Sequence, residues 1–325
     1  YPTGLLHEIG IAESLLPEVA APGKCIGNIG KSASVQTGLT CDTSVIISTY
    51  DAICSFVGSG VVNEGEASDV SGTVTVFRAA ASKKVDITEN KIQQIPYYEG
   101  GIHIVGGSNN MGGGLIEWVK QCYYQNENLP YERMEKDAGE ASLGAGGLIF
   151  LPYLLGERAP LWDSDARGVF FGLERMHTRK EMTRAVFESA GFIDLDMIAA
   201  IEETGIAVNT IRLSGGLARI NLISQIKADI TGRTIQVLSE FETTATGAAM
   251  MALYGQGVYA TLDEAAENFV SVRMVICPDR KNHEKYKALY QLYKETYHTL
   301  RPLFQKRIAI TERLYSKKRI KIENL

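Results

Sequence analysis

The sequence predicts an α/β protein of layered helices and strands. Three observations carry this reading. From Leu148 onward, short apolar runs alternate with amphipathic stretches of helical spacing. Two Thr-x-x-Glu capping boxes, Thr178-Arg-Lys-Glu181 and Thr261-Leu-Asp-Glu264, mark helix starts. Gly205 and Gly232 stand where helices should stop.

In chain order, Leu5, Leu6, Ile9, Leu15 and Leu16 give short helices ahead of Pro17. Residues 33–37 form another, closed by Gly38, and residues 45–47 a β-branched strand. Asp51 opens an apolar helical stretch ending near Gly58. Residues 70–77 are strand-type residues around a Ser-Gly-Thr turn, and residues 83–99 a polar hairpin. A strand at 102–105 enters the glycine run 106–114, and the helix after it carries Leu115, Trp118, Val119 and Cys122 on one face. A strand at 148–152 follows. The helix opened by Thr178 has a stripe of Met182, Val186, Ser189, Ile193 and Met197. Then come a strand at 211–213, a helix at 222–230, a strand at 235–238, an Ala-rich helix at 246–254 and a long amphipathic helix at 281–305.

A length of 325 residues gives room for two domains. With 33 Lys+Arg against 38 Asp+Glu the net charge is −5, which argues against a nucleic-acid partner. The most apolar stretch, 143–156, is broken by Gly144, Gly146, Gly147 and Pro152, so no membrane span is expected. Five scattered cysteines without a CxxC point to a reducing cytoplasm. The five histidines are isolated, and no metal site is expected from them. Arg307, Arg313, Lys317, Lys318, Arg319 and Lys321 make residues 306–325 a basic, solvated tail.

The 32 glycines are clustered at element ends, where backbone can turn tightly around an anion or nucleotide or simply form surface loops. Gly107 and Gly112 have Walker A spacing, but Gly113 and Gly114 replace its Lys and hydroxyl, which excludes a P-loop. Three turns remain as phosphate cradles: Ser71-Gly72-Thr73, Gly106 to Gly114, and Ser214-Gly215-Gly216. Each also reads as a hairpin or cap glycine. Asp51, between an apolar strand and an apolar helix, has two readings. It is either a general base in a cleft or an N-cap.

The segment Leu151-Pro-Tyr-Leu-Leu-Gly-Glu-Arg-Ala-Pro-Leu-Trp-Asp-Ser-Asp-Ala-Arg-Gly-Val-Phe-Phe-Gly-Leu173 resembles the C-terminal domain of the FGGY carbohydrate kinases. Gly168-Val-Phe170-Phe-Gly172-Leu173, followed by Glu181-Met182 and Ala185-Val186-Phe187-Glu188, fits the family's second signature. Other pieces follow in the family's order. Asp51-Ala52 resembles the catalytic-base segment and Ser71-Gly72-Thr73 the second phosphate motif, with Val74 where a small or hydroxyl residue is usual. Leu213-Ser-Gly215-Gly216-Leu-Ala218 resembles the adenosine motif.

The resemblance implies an actin-like, ribonuclease-H-type architecture and transfer of the γ-phosphoryl of ATP, with Mg²⁺, to a sugar hydroxyl. Xylulose, gluconate and related sugars are open as acceptors. It implies Asp51 as base, and Ser71, Gly72, Thr73, Gly107, Gly215, Gly216 and Ala218 as nucleotide contacts. The family's opening Asp-x-Gly-Thr-Thr-x-x-Arg hairpin is not found. Residues 1–78 are therefore expected to be the tail end of the sugar-binding domain, and residues 79–305 the ATP-binding domain. A second copy or the missing N-terminal segment is the expected macromolecular partner.

Overall fold

The computed structural model describes residues 1–96 and 102–319, with the side chains of 315–319 excepted. The chain runs α1 (Thr3–Glu8), β1 (Cys25–Asn28), α2 (Lys31–Thr37), β2 (Ser44–Ile46), α3 (Asp51–Gly58), β3 (Glu66–Ser71), β4 (Thr75–Ala81), β5 (Gln93–Pro96) and β6 (His103–Ser108). It continues with α4 (Gly113–Tyr123), α5 (Pro130–Glu140), β7 (Ile149–Leu151), β8 (Val169–Phe171), α6 (Arg179–Glu202), β9 (Thr210–Ser214) and α7 (Asn221–Thr231). β10 (Thr234–Leu238), α8 (Thr243–Gly255), α9 (Leu262–Phe269), β11 (Val272–Ile276) and α10 (Arg280–Arg319) complete it.

One sheet of seven strands organises the molecule, in the order β11-β10-β9-β3-β4-β6-β5. β3, β9 and β10 are parallel, and the flanking strands pair antiparallel. Successive strand residues point to opposite faces, so each face needs its own cover. Ala79, Ala81 and Val105 face Met197, Ile198 and Ile201 of α6 and Ala228 of α7. Ala80 and Ile104, one residue out of phase, face Phe56 and Val57 of α3, Met250 and Met251 of α8, and Ala265 of α9. The result is a helix–sheet–helix sandwich.

α6 starts at the expected box: Thr178 accepts from the Lys180 amide, and Glu181 accepts from the Thr178 amide at 2.8 Å. The box expected at Thr261 is only half made. Thr261 caps the Glu264 amide, but the Glu264 carboxylate accepts from Ala260 instead. α3 and α8 meet backbone to backbone through two glycines. A Cβ at Gly58 would lie 1.9 Å from the Thr243 carbonyl oxygen, and one at Gly247 would lie 1.9 Å from that of Cys54.

The structure departs from the sequence reading at three places. The expected division between residues 78 and 79 falls inside β4, whose partner β3 begins at Glu66 in the same sheet. The expected hairpin over 83–99 holds one described strand, β5, paired to β6; residues 97–99 lie outside the described residues. The expected basic tail is helical as far as Arg319, because α10 continues through Pro302; residues 320–325 lie outside the described residues.

Residues 1–50 form a thinner layer. α1, β1 and α2 bury no residue, while Leu5, Ile9, Leu15 and Val35 are exposed.

Candidate active site

The hairpin between β3 and β4 closes with Ser71 opposite Thr75, which leaves a three-residue turn, Gly72-Thr73-Val74. Two carbonyls of this turn are taken. The Gly113 amide donates to Gly72 O at 2.6 Å, and the Gly112 and Gly114 amides donate to Thr73 O at 3.1 Å. The amides of Gly72 and Thr73 donate to no group among the described residues. A turn with occupied carbonyls and open amides is an anion cradle. The α4 amides expected to hold phosphate are themselves spent on this turn.

The Ser214–Gly216 turn leaves the end of β9 and packs against the hairpin. Gly215 has φ +83° and ψ −171°, a conformation open to glycine alone, and a Cβ there would stand 2.6 Å from Ser71 O. A Cβ at Gly216 would be 3.9 Å from the nearest atom outside its neighbours, so Gly216 faces space. That space is a cavity of about 620 Å³ bounded by Gly72, Thr73, Gly113, Gly114 and Gly216, with Ile116, Leu217 and Ile220 beyond them. Glu117, Tyr131, Glu132 and Glu135 close its far side. Glu135 accepts from the Leu222 amide at 2.8 Å, so the start of α7 already carries a carboxylate. Arg219 also lines the cavity and Glu117 is paired with Lys120, so the lining carries charges of both signs.

Beneath the hairpin lies a buried ionic cluster. Lys227 of α7 is paired with Asp69 of β3 and, at 2.8 Å, with Asp194 of α6; none of the three side chains reaches solvent. Lys227 also donates to Ser71 Oγ at 3.1 Å, and Ser71 donates to Asp69 at 2.6 Å. Burial and the nearby Asp69 charge push the Asp194 carboxyl well up. Burial works against the Lys227 ammonium, but Asp194 and Asp69 outweigh it and hold its pKa above the ordinary value. Sequence reading missed this cluster, because its members come from three distant elements.

The predicted site residues divide. Gly72, Thr73 and Gly216 border the cavity, Gly215 shapes its wall, and Ser71 is buried as the hairpin's anchor. Gly107 is not at the cavity. It lies within β6, where a Cβ would meet Ala159 at 2.5 Å. Ala218 is fully buried, and its carbonyl accepts from Arg273 at 3.1 Å. Asp51 is exposed in the first turn of α3, not at the N-cap, which is Tyr50. Arg78 of β4 donates to Ala52 O at 2.9 Å, tying this turn to the strand that leaves the β3–β4 hairpin. Among the described residues no group of three or more His, Cys, Asp or Glu stands together to hold a metal.

A sandwich with two glycine turns packed together beside a cavity at its strand ends is the layout of an actin-like ATPase domain. The chain belongs to the FGGY family of carbohydrate kinases, whose C-terminal domain model matches residues 68–255. It is 30% identical over 293 residues to xylulose kinase of Bacillus subtilis, covering 90% of this chain and 58% of that one. It superposes on ligand-bound xylulose kinase of Lactobacillus acidophilus with a TM-score of 0.86 at 29% identity, covering 94% of this chain and 62% of that one. Gluconate kinase of the same organism gives 0.84 at 29% identity, with the same coverage. The chain thus spans about three fifths of the relatives it matches.

Proposed function

We propose that this chain carries the nucleotide site and the catalytic base of an ATP-dependent sugar kinase. The observation behind this reading is one cavity bordered both by Gly216 and by the hairpin turn, whose Gly72 and Thr73 amides donate to no group among the described residues. The residues fit a nucleotide. The amides and the glycines without side chains receive its phosphates, while Ile116, Leu217 and Ile220 take the base and the glutamates accept from its hydroxyls or amine. Among the described residues no cluster of three or more His, Cys, Asp or Glu stands together, and Mg²⁺ would instead need one or two carboxylates with the nucleotide's own phosphates.

In the proposed reaction a sugar hydroxyl attacks the γ-phosphorus as the bond to the β-phosphate oxygen breaks, and ADP leaves. Asp51 accepts the hydroxyl proton, and the hairpin amides hold the transferring group. The acceptor we propose is a pentulose such as xylulose, with gluconate as the alternative, since relatives bearing both names match to similar extents. A reducing cytoplasm suits five free cysteines. Among the described residues no helix is long and apolar enough to cross a membrane.

A second reading, a nucleotide-binding module without turnover, is favoured by residues 1–50. Their exposed Leu5, Ile9, Leu15 and Val35 are surface that another polypeptide segment would cover. Coupled ADP-release assays with xylulose and gluconate, run on the chain alone and on the chain completed by the rest of the family fold, separate the readings, since only the kinase reading predicts that completion restores turnover. The 325-residue chain alone should turn over well below about 1 s⁻¹, the low end of the kinase range. Turnover at or above that rate would exclude the module.

A further inference from the structure

The segment Leu155 to Ala159 is cross-linked to the loop 109–112, and the loop in turn holds the hairpin turn. Glu157 Oε1 accepts from the Asn110 amide at 2.7 Å and from the Arg158 amide at 2.7 Å. Arg158 donates to Asn109 O at 3.0 Å, Asn109 Nδ2 to Ala159 O at 2.8 Å, and Asn110 Nδ2 to Leu155 O at 3.3 Å. On its other side the loop donates from the Asn109 amide to Thr75 O at 2.9 Å, and it runs into the Gly112 to Gly114 amides that hold the turn. Glu157 is only 3% exposed, yet its Oε2 is buried without a hydrogen-bond partner, as are Asn109 Oδ1 and Arg158 Nε. A buried carboxylate left half-satisfied is costly. A purely structural clamp would be better served by a neutral acceptor.

We propose that Glu157 is a positioning residue that seats loop 109–112 against the Gly72–Thr73 turn and thereby sets the nucleotide cavity, with a strength that depends on its ionisation. The ionised carboxylate is the better acceptor for the Asn110 amide. Burial pushes the Glu157 carboxyl up to about 7, opposed by its two amide bonds and by Arg158. With Glu157 buried throughout, acid therefore weakens its bond to the Asn110 amide within the physiological range. Other charged groups near Glu157 are Asp196 of α6, Lys294 beside Asp196, and Asp163 with Arg301. The phenols of Tyr153 and Tyr293 complete the surroundings. Asp196 is itself raised to about 7, chiefly by desolvation, and is the alternative source of any titration.

The effect on affinity rests on the nucleotide reading above; the clamp itself does not. Amide resonances of the ligand-free protein should be followed from about pH 6 to about pH 8, either side of the carboxyl midpoint. In the wild type, Gly113 and Gly114 should shift together with Asn110, with a midpoint near 7. In Glu157→Gln, which keeps an acceptor but does not titrate, the three should be flat, whereas Asp196→Asn should titrate as wild type. In calorimetry with ADP, the wild type should lose about threefold or more in affinity between the two pH values, relative to Glu157→Gln. Glycine amides that do not follow Asn110, or a titration that survives in Glu157→Gln, overturns the proposal. Wild type that titrates as described but binds no ADP at any pH would uphold the clamp and defeat the nucleotide reading.

Discussion

Gly215 and Ser71 hold the two glycine turns in register: a side-chain carbon at Gly215 would stand 2.6 Å from the Ser71 carbonyl oxygen. Gly215→Ala should therefore cost about 2 kcal/mol or more, through strain at positive φ and the clash together. Urea unfolding of the variant checks this; a loss below about 0.5 kcal/mol, the surface-substitution range, would mean the turns are not in fixed contact.

Gly216 presents the opposite case. Its missing side chain faces the cavity and not backbone. Gly216→Asp should leave the melting temperature close to wild type but abolish ADP binding, because it places a carboxylate where the phosphates are proposed to bind. A variant that melts normally and binds ADP as well as wild type would move the nucleotide elsewhere.

The Lys227 cluster gives a stability prediction. Lys227→Met leaves Asp69 and Asp194 buried without a counter-charge and should cost about 3–5 kcal/mol at neutral pH. Acid should return part of that loss by protonating Asp194, whose carboxyl burial already pushes up. Denaturation at neutral and at mildly acidic pH measures both effects, and an equal loss at the two pH values would show that repulsion between the carboxylates is not the cause.

Glu157 gives a pH-dependent one. Its carboxyl is raised from the ordinary 4.5 to about 7, so the folded state favours the protonated form. The associated stability is fully present below 4.5 and is lost as pH rises through about 7. Glu157→Gln should consequently be more stable than wild type at about pH 8, by at most about 3 kcal/mol, and nearly equal to it at about pH 4. A variant less stable than wild type at the higher pH would show that ionised Glu157 is a net stabiliser.

Asp51 sits in the first turn of α3, with its own Oδ1 accepting from the Ala52 amide at 2.7 Å. Asp51→Asn removes a helix-dipole contribution of no more than about 1 kcal/mol. In an enzyme completed by the rest of the family fold it should lower kcat about 10²-fold or more while ADP affinity is unchanged. A kcat within a few-fold of wild type would return Asp51 to a structural role.

The layered fold was legible because helix and strand periodicity are local signals, and the Thr178 box and the Gly232 stop formed as read. α5 was missed although Pro130 opens it, a standard first-turn position. The 78/79 boundary runs through β4, because a hairpin's sheet membership depends on partners far along the chain: β3 pairs with β9. The segment that carried the family resemblance is chiefly architectural. Phe170 packs against Phe150 with ring centroids 4.5 Å apart and planes tilted by 35°, and Glu181 caps α6. Glu157 and the Lys227 cluster were invisible because burial of a charge cannot be read from its neighbours in sequence.

The central claim is that the cavity between the hairpin turn and Gly216 is the nucleotide site. Isothermal titration of the 325-residue chain with ADP, alongside Gly216→Asp, tests it most directly. The account predicts saturable binding at one site per chain in the wild type and none in the variant. No binding by the wild type at millimolar ADP, or undiminished binding by the variant, would contradict it.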